Sequence, residues 1–212
     1  MTSATRRWLT AASGLAAVAA LLLVVLTAFA RADSGPSVPA EDSADVGFAQ
    51  DMAIHHQQAV EMSFIVRDRT DDEEVRRLAY DIINTQANQR GMMLGWLDSW
   101  GAPVAPGTPP MSWMDDGGHA HQGGDGALMP GMATDAQLDE LRAASGRDAE
   151  VLFLQLMTVH HRAGAEMAEA GAELADTDEI RDLAAGMARS QESEIGLMTD
   201  LLTARGATAP PA

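Results

Sequence analysis

The chain contains no cysteine, which excludes disulfide bonds and thiolate ligands for a metal ion. In an oxidising compartment, a soft metal ion would then have to be bound by methionine thioethers and histidine imidazoles. Aromatic residues make up only 4% of the 212 residues, so the core must be aliphatic and rich in methionine. Basic residues are also few, with 14 Lys and Arg against 31 Asp and Glu. The net charge of −17 argues against nucleic acid or an anionic membrane surface as a partner.

Motifs of common enzyme classes are missing as well. The sequence contains no nucleophile elbow, phosphate-binding loop or dinucleotide fingerprint. It also contains no Glu-x-x-His, the sequence that di-iron bundles place on facing helices. We therefore expect that the protein is not an enzyme, and the last absence argues against a ferritin-type oxidase in particular.

A long hydrophobic run from Trp8 to Ala30 follows Arg6 and Arg7. It is about long enough to span a bilayer, which takes roughly 20 apolar residues, and it ends in small residues typical of a cleavage site. Residues 1–31 are predicted to be either a cleaved signal peptide or an N-terminal membrane anchor. Both alternatives export the rest of the chain, which would be secreted or held at the outer face of the cytoplasmic membrane. Residues 32–44, rich in Ser, Pro, Asp and Ala, are predicted to be a linker.

The rest of the chain contains an internal duplication with an offset of 105 residues and no gap. The segment from Phe48 to Met62 returns as Phe153 to Met167, and four of the six histidines lie in the repeated block. In each copy, apolar residues and the first histidine of a His-His pair recur every three or four residues, which predicts an amphipathic helix. Capping residues at Asp71 and Asp176 predict the start of a second helix in each copy.

These patterns predict an all-α fold, a ferritin-like four-helix bundle over residues 45–206. Its two duplicated hairpins, residues 45–101 and 148–206, would be related by an approximate twofold axis. The crossover between them, residues 102–147, should contain a short helix that begins with a capping box at Thr134. A homodimer is left open.

The repeated polar residues predict a metal site between the hairpins. The first histidine of each pair, at 55 and 160, is favoured as a ligand because it is doubled, repeated and neighboured by methionine. The alternative is a core histidine that is satisfied by a glutamine. The candidate ligands in the bundle are His55, His56, Met52, Met62, His160, His161, Met157 and Met167. Met62 and Met167 lie two helical turns from the favoured histidines, which also suits core packing or a second site.

Antiparallel pairing within each hairpin places a glutamine level with each favoured histidine. His55 should face Gln86, and His160 should face Gln191. We expect the glutamine oxygen to accept an imidazole N–H and so fix the tautomer, as supporting residues do around metal ions. The predicted supporting residues are Gln86, Gln191, Gln89 and Glu194.

The crossover offers a second set of soft ligands. Its candidate residues are His119, His121, Met129 and Met132, with Met111 and Met114 nearby. Their spacing is that of a flexible clamp for a soft metal ion. The alternative is a linker in which methionine has no role, and the repeat does not help to choose because the crossover has no second copy.

Imidazole and thioether ligands without thiolate favour copper, chiefly Cu(I), with Cu(II) as an alternative through histidine. Zinc would usually require cysteine or more carboxylates.

The order of these motifs resembles a known bacterial family, domain of unknown function 305. The resemblance covers residues 45–206 and rests on Phe48-x3-Met52-x2-His55-His56-x2-Ala59-x-Glu61-Met62, Gln86 to Met93, Met129-Pro-Gly-Met132 and the second His-His block. It implies a ferritin-like bundle, export and, because the family includes periplasmic copper-binding proteins, copper ligation by the repeated histidines and methionines. The copies differ at two positions: Gln89 is matched by Glu194, so the halves are chemically unequal, and Val66 is matched by Gly171, which should thin the packing.

We therefore predict an exported metal-binding protein that sequesters or delivers copper. Two alternatives remain: a metal-dependent oxidase that uses the same site, and a metal-free structural bundle in which histidine–glutamine pairs only fix the register.

Overall fold

The described part of the chain is built from helices, four of them long and paired in two hairpins. The computed structural model describes residues 38–114 and 126–211. The helices are α1 (Ala44–Arg67), α2 (Glu73–Trp100), α3 (Asp135–Ala143), α4 (Gly146–Leu174) and α5 (Asp178–Ala204), with a 3-10 turn at Ser112–Met114. α1 packs along α2, α4 packs along α5, and the hairpins meet where α1 packs along α4. No strand occurs within these ranges, and the predicted all-α helical bundle is confirmed.

Some predicted features lie outside the described residues. These are the N-terminal segment 1–31, residues 32–37 of the linker, and the crossover histidines His119 and His121. In the part of the chain that the structure describes, no helix is long and apolar enough to cross a membrane. From Pro39 onward, the described residues form a single compact unit.

Polar side chains cap the N-termini of α1, α2, α3 and α5, whereas the residue before α4 makes no such bond. Asp72 accepts hydrogen bonds from backbone N–H groups in the first turn of α2, and Thr177 does the same for α5. The sequence predicted Asp71 and Asp176 for these roles and was wrong by one residue, because the adjacent Asp72 and Thr177 are also residue types favoured at N-caps. The capping box predicted to begin at Thr134 is confirmed.

The first helix of each hairpin holds the turn of the other hairpin. The carboxylate of Asp45 accepts hydrogen bonds from the backbone N–H groups of Asp176 at 3.0 Å and Thr177 at 2.9 Å. The residue equivalent to Asp45 in the second copy is Glu150, which accepts a hydrogen bond from the Thr70 hydroxyl at 2.5 Å. α1 and α4 therefore run antiparallel and are related by an approximate twofold axis.

A polar layer divides the hydrophobic core into two clusters. Met62 and Met157 belong to one cluster, and Met52 and Met167 belong to the other. Along α1 and α4, both His-His pairs lie between these methionines. The polar layer is thus placed at the middle of the contact between the hairpins.

Two side chains of α1 hold the described arms of the crossover. Asp51 Oδ2 accepts hydrogen bonds from the Met111 backbone N–H at 2.6 Å and from the Trp113 indole at 3.0 Å. Seven residues further on, Gln58 donates to the carbonyl of Ala133 at 2.8 Å and accepts from its N–H at 2.7 Å. This spacing places both side chains on the same side of α1. The crossover is therefore fixed to the first hairpin before and after its undescribed residues, 115–125.

The crossover also lies directly on α4, at a glycine. Gly131 has a φ of +75°, and a Cβ atom there would collide with Ala163 and lie 2.9 Å from the carbonyl oxygen of Val159. Only glycine adopts this conformation freely and allows so close an approach. The Met129–Met132 segment is thereby placed over α4 beside His160, whose Cα lies 3.5 Å from that Cβ position.

Candidate metal centre

Four histidines from the two hairpins meet in the polar layer between α1 and α4. His55, His56, His160 and His161, here called the histidine cluster, are each at most 1% exposed. The rings of His55 and His160 stack across the approximate twofold axis, with centroids 3.7 Å apart and an interplanar angle of 31°. The antiparallel packing of two copies of one helix explains this layer, because each copy brings its histidine pair to the same crossing point.

The second histidine of each pair, rather than the first, bonds to the neighbouring helix. His56 Nε2 lies 2.9 Å from Gln89 Oε1 on α2, and His161 Nε2 lies 2.7 Å from Glu194 Oε2 on α5. Gln89 and Glu194, two of the predicted supporting residues, thus bond to the second histidine of each pair, whereas the sequence analysis assigned partners only to the first.

The expected pairing of the first histidines with glutamines was wrong. Neither ring nitrogen of His55 or of His160 has a hydrogen-bond partner among the described residues, and Gln86 Oε1 and the amide atoms of Gln191 have none there either. The prediction compared backbone levels alone. Side chains lean towards the N-terminus of their own helix, so in antiparallel helices the contacting pair lies several positions beyond the level pair.

The unpaired nitrogens of the histidine cluster are suited to bind a metal ion. Besides the four nitrogens of the stacked rings, Nδ1 of His56 and of His161 also lacks a partner among the described residues. Leaving a buried polar group unpaired costs about 1–3 kcal/mol. A neutral imidazole has one N–H and one lone pair, so a metal ion would satisfy one nitrogen of each ring, and imidazole without thiolate is a donor set that suits copper.

Burial also keeps His55, His56 and His160 neutral, which is the form that binds metal. Burial, followed by the neighbouring histidines, lowers the pKa values of His55 and His160 well below the usual 6.5. Burial lowers the pKa of His56 to about 4, against the opposing effect of its hydrogen bond to Gln89. At neutral pH, the lone pairs of these rings are therefore available without the release of a proton.

Two pairs of buried methionines flank the histidine cluster. Met52, Met62, Met157 and Met167 are all fully buried. Because α1 and α4 are antiparallel, Met52 shares a core cluster with Met167, and Met62 shares one with Met157. The sequence analysis left core packing or a second site open for Met62 and Met167, because it counted helical turns along a single helix. In the structure, each instead shares a core cluster with the favoured methionine of the other hairpin.

The described methionines of the crossover join one of these pairs. Met129 is fully buried in the cluster that contains Met52, and Met132 packs against the same cluster with part of its surface exposed. Met111 also belongs to this cluster, and Met114 packs against it. The soft ligands of the crossover therefore lie at the Met52 end of the bundle.

A complete set of hard ligands is not formed in the described ranges. No three His, Asp or Glu side chains there are arranged to hold a metal ion. An ion at the histidine cluster would therefore have to use methionine sulfur or turn the stacked rings apart. The use of methionine sulfur would favour a soft ion over zinc or magnesium.

Gly164 gives the histidine cluster its space, and sequence reasoning did not single it out. A Cβ atom at this position would lie 3.0 Å from His55 Cε1 and would collide with Gln191 Oε1. The signal in the sequence was present, because the first copy has Ala59 at the equivalent position.

The variant Gly164→Ala is expected to weaken metal binding about 10-fold, because Gln191 and His55 must move, while stability changes little. Helix propensity favours alanine by about 1 kcal/mol and offsets the collision. The matched control is Gly186→Ala on α5, where a Cβ atom meets nothing within 4 Å. Isothermal titration with Ag(I) should separate the two variants, and equal affinities would contradict this role for Gly164.

The family comparison agrees with this arrangement. The family described as "Domain of unknown function (DUF305)" matches residues 45–202. The chain belongs to this family. The match includes both hairpins, the crossover and every residue of the histidine cluster.

Solved structures of DUF305 proteins share the fold. A candidate secreted protein from Streptomyces coelicolor is 58% identical with a TM-score of 0.74, over 82% of this chain and 100% of that one. A DUF305 fragment from Deinococcus radiodurans is 30% identical with a TM-score of 0.64, over 79% and 99%. CopM in its Cu(II)-bound form is 27% identical with a TM-score of 0.57, over 76% and 96%. No curated protein matches the chain.

Proposed function

We propose that this DUF305 protein binds copper at the histidine cluster and sequesters or delivers it outside the cytoplasm. The observation that carries the proposal is the group of unpaired, buried imidazole nitrogens between two pairs of buried methionines. Such a donor set holds Cu(I) through nitrogen and sulfur, and it accepts Cu(II) through nitrogen. The protein is not proposed to be an enzyme.

The similarity to CopM supports the choice of metal. CopM has been solved in Cu(I)-bound, Ag-bound and Cu(II)-bound forms, and the Cu(II)-bound form is 27% identical to this chain. Ag(I) is a soft ion that resembles Cu(I) in its ligand preference. Export is supported by the charged and then hydrophobic N-terminal segment and by the similarity to a candidate secreted protein.

The experiment is a competition titration of the purified protein with Cu(I), Cu(II) and Zn(II). The test variant is His55→Leu/His160→Leu, and the matched control is His119→Ala/His121→Ala, which removes the same number of histidines from the crossover. The test variant should bind copper more than about 100-fold more weakly, because losing two ligands exceeds the loss of a supporting residue. Leucine also replaces an unpaired polar group by an apolar one, so the variant should remain folded without metal.

Each rival gives a different result. Equal copper binding by the parent and the test variant, with a loss in the control, would move the site to the crossover. Failure of the parent to bind any of the three ions would favour the metal-free structural bundle. Steady oxygen consumption by the copper-loaded parent would favour the oxidase, whereas a protein that sequesters copper keeps it inactive.

A further inference from the structure

The two halves of the histidine cluster are supported by chemically different residues. His56 is hydrogen-bonded to the neutral amide of Gln89, whereas His161 is hydrogen-bonded to the carboxylate of Glu194. The ring of His161 is fully buried, and Glu194 is 19% exposed at its side chain. In the described residues, no other carboxylate is hydrogen-bonded to a member of the histidine cluster. The single acidic partner therefore acts on one half only.

A carboxylate partner changes what an imidazole offers to a metal ion. An ionised carboxylate only accepts hydrogen bonds, so Nε2 of His161 carries the proton of this bond and a metal ion would bind at Nδ1. That Nδ1 atom is the one without a partner. The hydrogen bond also makes the ring a stronger electron donor to a bound ion, and it places a negative charge close to that ion. Both effects stabilise an ion of higher charge more than one of lower charge.

We propose that Glu194 is a specificity-determining residue that raises the affinity of the histidine cluster for Cu(II) relative to Cu(I). It acts through His161 and is a positioning residue, not a ligand. Gln89 orients His56 in the same way but adds no charge, so the first half retains the preference of neutral imidazole and thioether for Cu(I). The inference rests on the proposed function, because it concerns copper at the same cluster.

The duplication supplies conservative variants for the test. Glu194→Gln gives the second half the residue of the first, and Gln89→Glu does the reverse, with little change of volume in either case. The control for net charge is Glu192→Gln, which removes an exposed carboxylate from the same helix. Dissociation constants are measured by competition for Cu(II) and for Ag(I), which stands in for Cu(I) and does not change oxidation state.

In Glu194→Gln, Cu(II) binding should weaken about 10-fold or more, while Ag(I) binding changes much less. A 10-fold change in the ratio corresponds to about 59 mV in the one-electron Cu(II)/Cu(I) potential, which should rise. Gln89→Glu should shift the ratio the other way. The exchange Gln89→Glu/Glu194→Gln should restore a ratio close to that of the parent, because it only moves the charge to the other half.

Equal changes in Cu(II) and Ag(I) affinity in Glu194→Gln would mean that Glu194 only holds the ring in place. An equal effect of Glu192→Gln would mean that overall charge is responsible. Either result would overturn the inference and leave the proposed function intact. Failure of the parent to bind either ion would overturn the proposed function, and the inference with it.

Discussion

Acidification from pH 6.5 towards pH 4 should unfold the metal-free protein. The pKa values of His55 and His160 lie well below 6.5, and that of His56 lies at about 4. In the unfolded chain, all three titrate near 6.5. Below pH 6.5 the unfolded state therefore binds more protons than the folded state. The stabilisation due to the neutral rings is complete above pH 6.5 and is lost as the pH falls through this window.

The three histidines together make this effect large. Each histidine that stays neutral in the fold contributes about 1.4 kcal/mol of destabilisation per pH unit below 6.5. Three such residues approach the whole stability of an ordinary domain, about 5–15 kcal/mol, within roughly two pH units. Burial raises the pKa of Asp51 above 3.8, which works in the opposite direction, but this is one group against three.

Urea unfolding followed by circular dichroism across this pH range would measure the effect. The variant His55→Leu/His160→Leu removes two of the three neutral rings and should lose about two thirds of the slope. A free energy of unfolding that stays constant, or rises, between pH 6.5 and pH 4 would contradict the prediction. Such a result would mean that the rings are protonated in the fold, and that the cluster is not poised to bind a cation.

The duplication made the histidine cluster predictable, because equivalent residues on two copies of a helix face each other where the two copies cross. It could not reveal the contacts of Asp51 and Gln58. Their partners lie in the crossover, 60 to 75 residues away, and the equivalent residues, Leu156 and Ala163, have no polar atoms to compare. Contacts made by one copy alone leave no signal in a repeat.

The partners of the histidines were predictable in kind but not in identity. Buried polar residues between the helices need polar neighbours, and Gln89 and Glu194 were among those expected. The lean of side chains towards helix N-termini then decided that His56 and His161, rather than His55 and His160, would reach them. An error of a few positions in the pairing of the helices therefore assigned the hydrogen bond to the wrong histidine of each pair. It also misidentified which ring nitrogens are left for a metal ion.

The variant Gly171→Val should lose about 3 kcal/mol of stability, the upper end of the range for overpacked cores. The sequence suggested that this glycine thins the packing, since the first copy has Val66. In the structure, Phe48 occupies the space, and a Cβ atom at Gly171 would lie 2.5 Å from its ring. Phe48 is fully buried and cannot turn away, because Trp113 packs against it edge-on with centroids 5.8 Å apart.

Thermal and urea unfolding of Gly171→Val would be compared with Gly186→Val, which places the same residue in open space on α5 and should change stability by less than about 1 kcal/mol.

Phe48→Ala alone should cost about 3–5 kcal/mol. If the two side chains compete for one space, the double variant Phe48→Ala/Gly171→Val should be more stable than the sum of the single changes by about 1–3 kcal/mol. Additive losses would mean that Phe48 does not fill the place left by Gly171. A coupling of that size would explain why the two copies diverged here: the crossover has no second copy, and its Trp113 packs against Phe48, which fills the space beside Gly171 of α4.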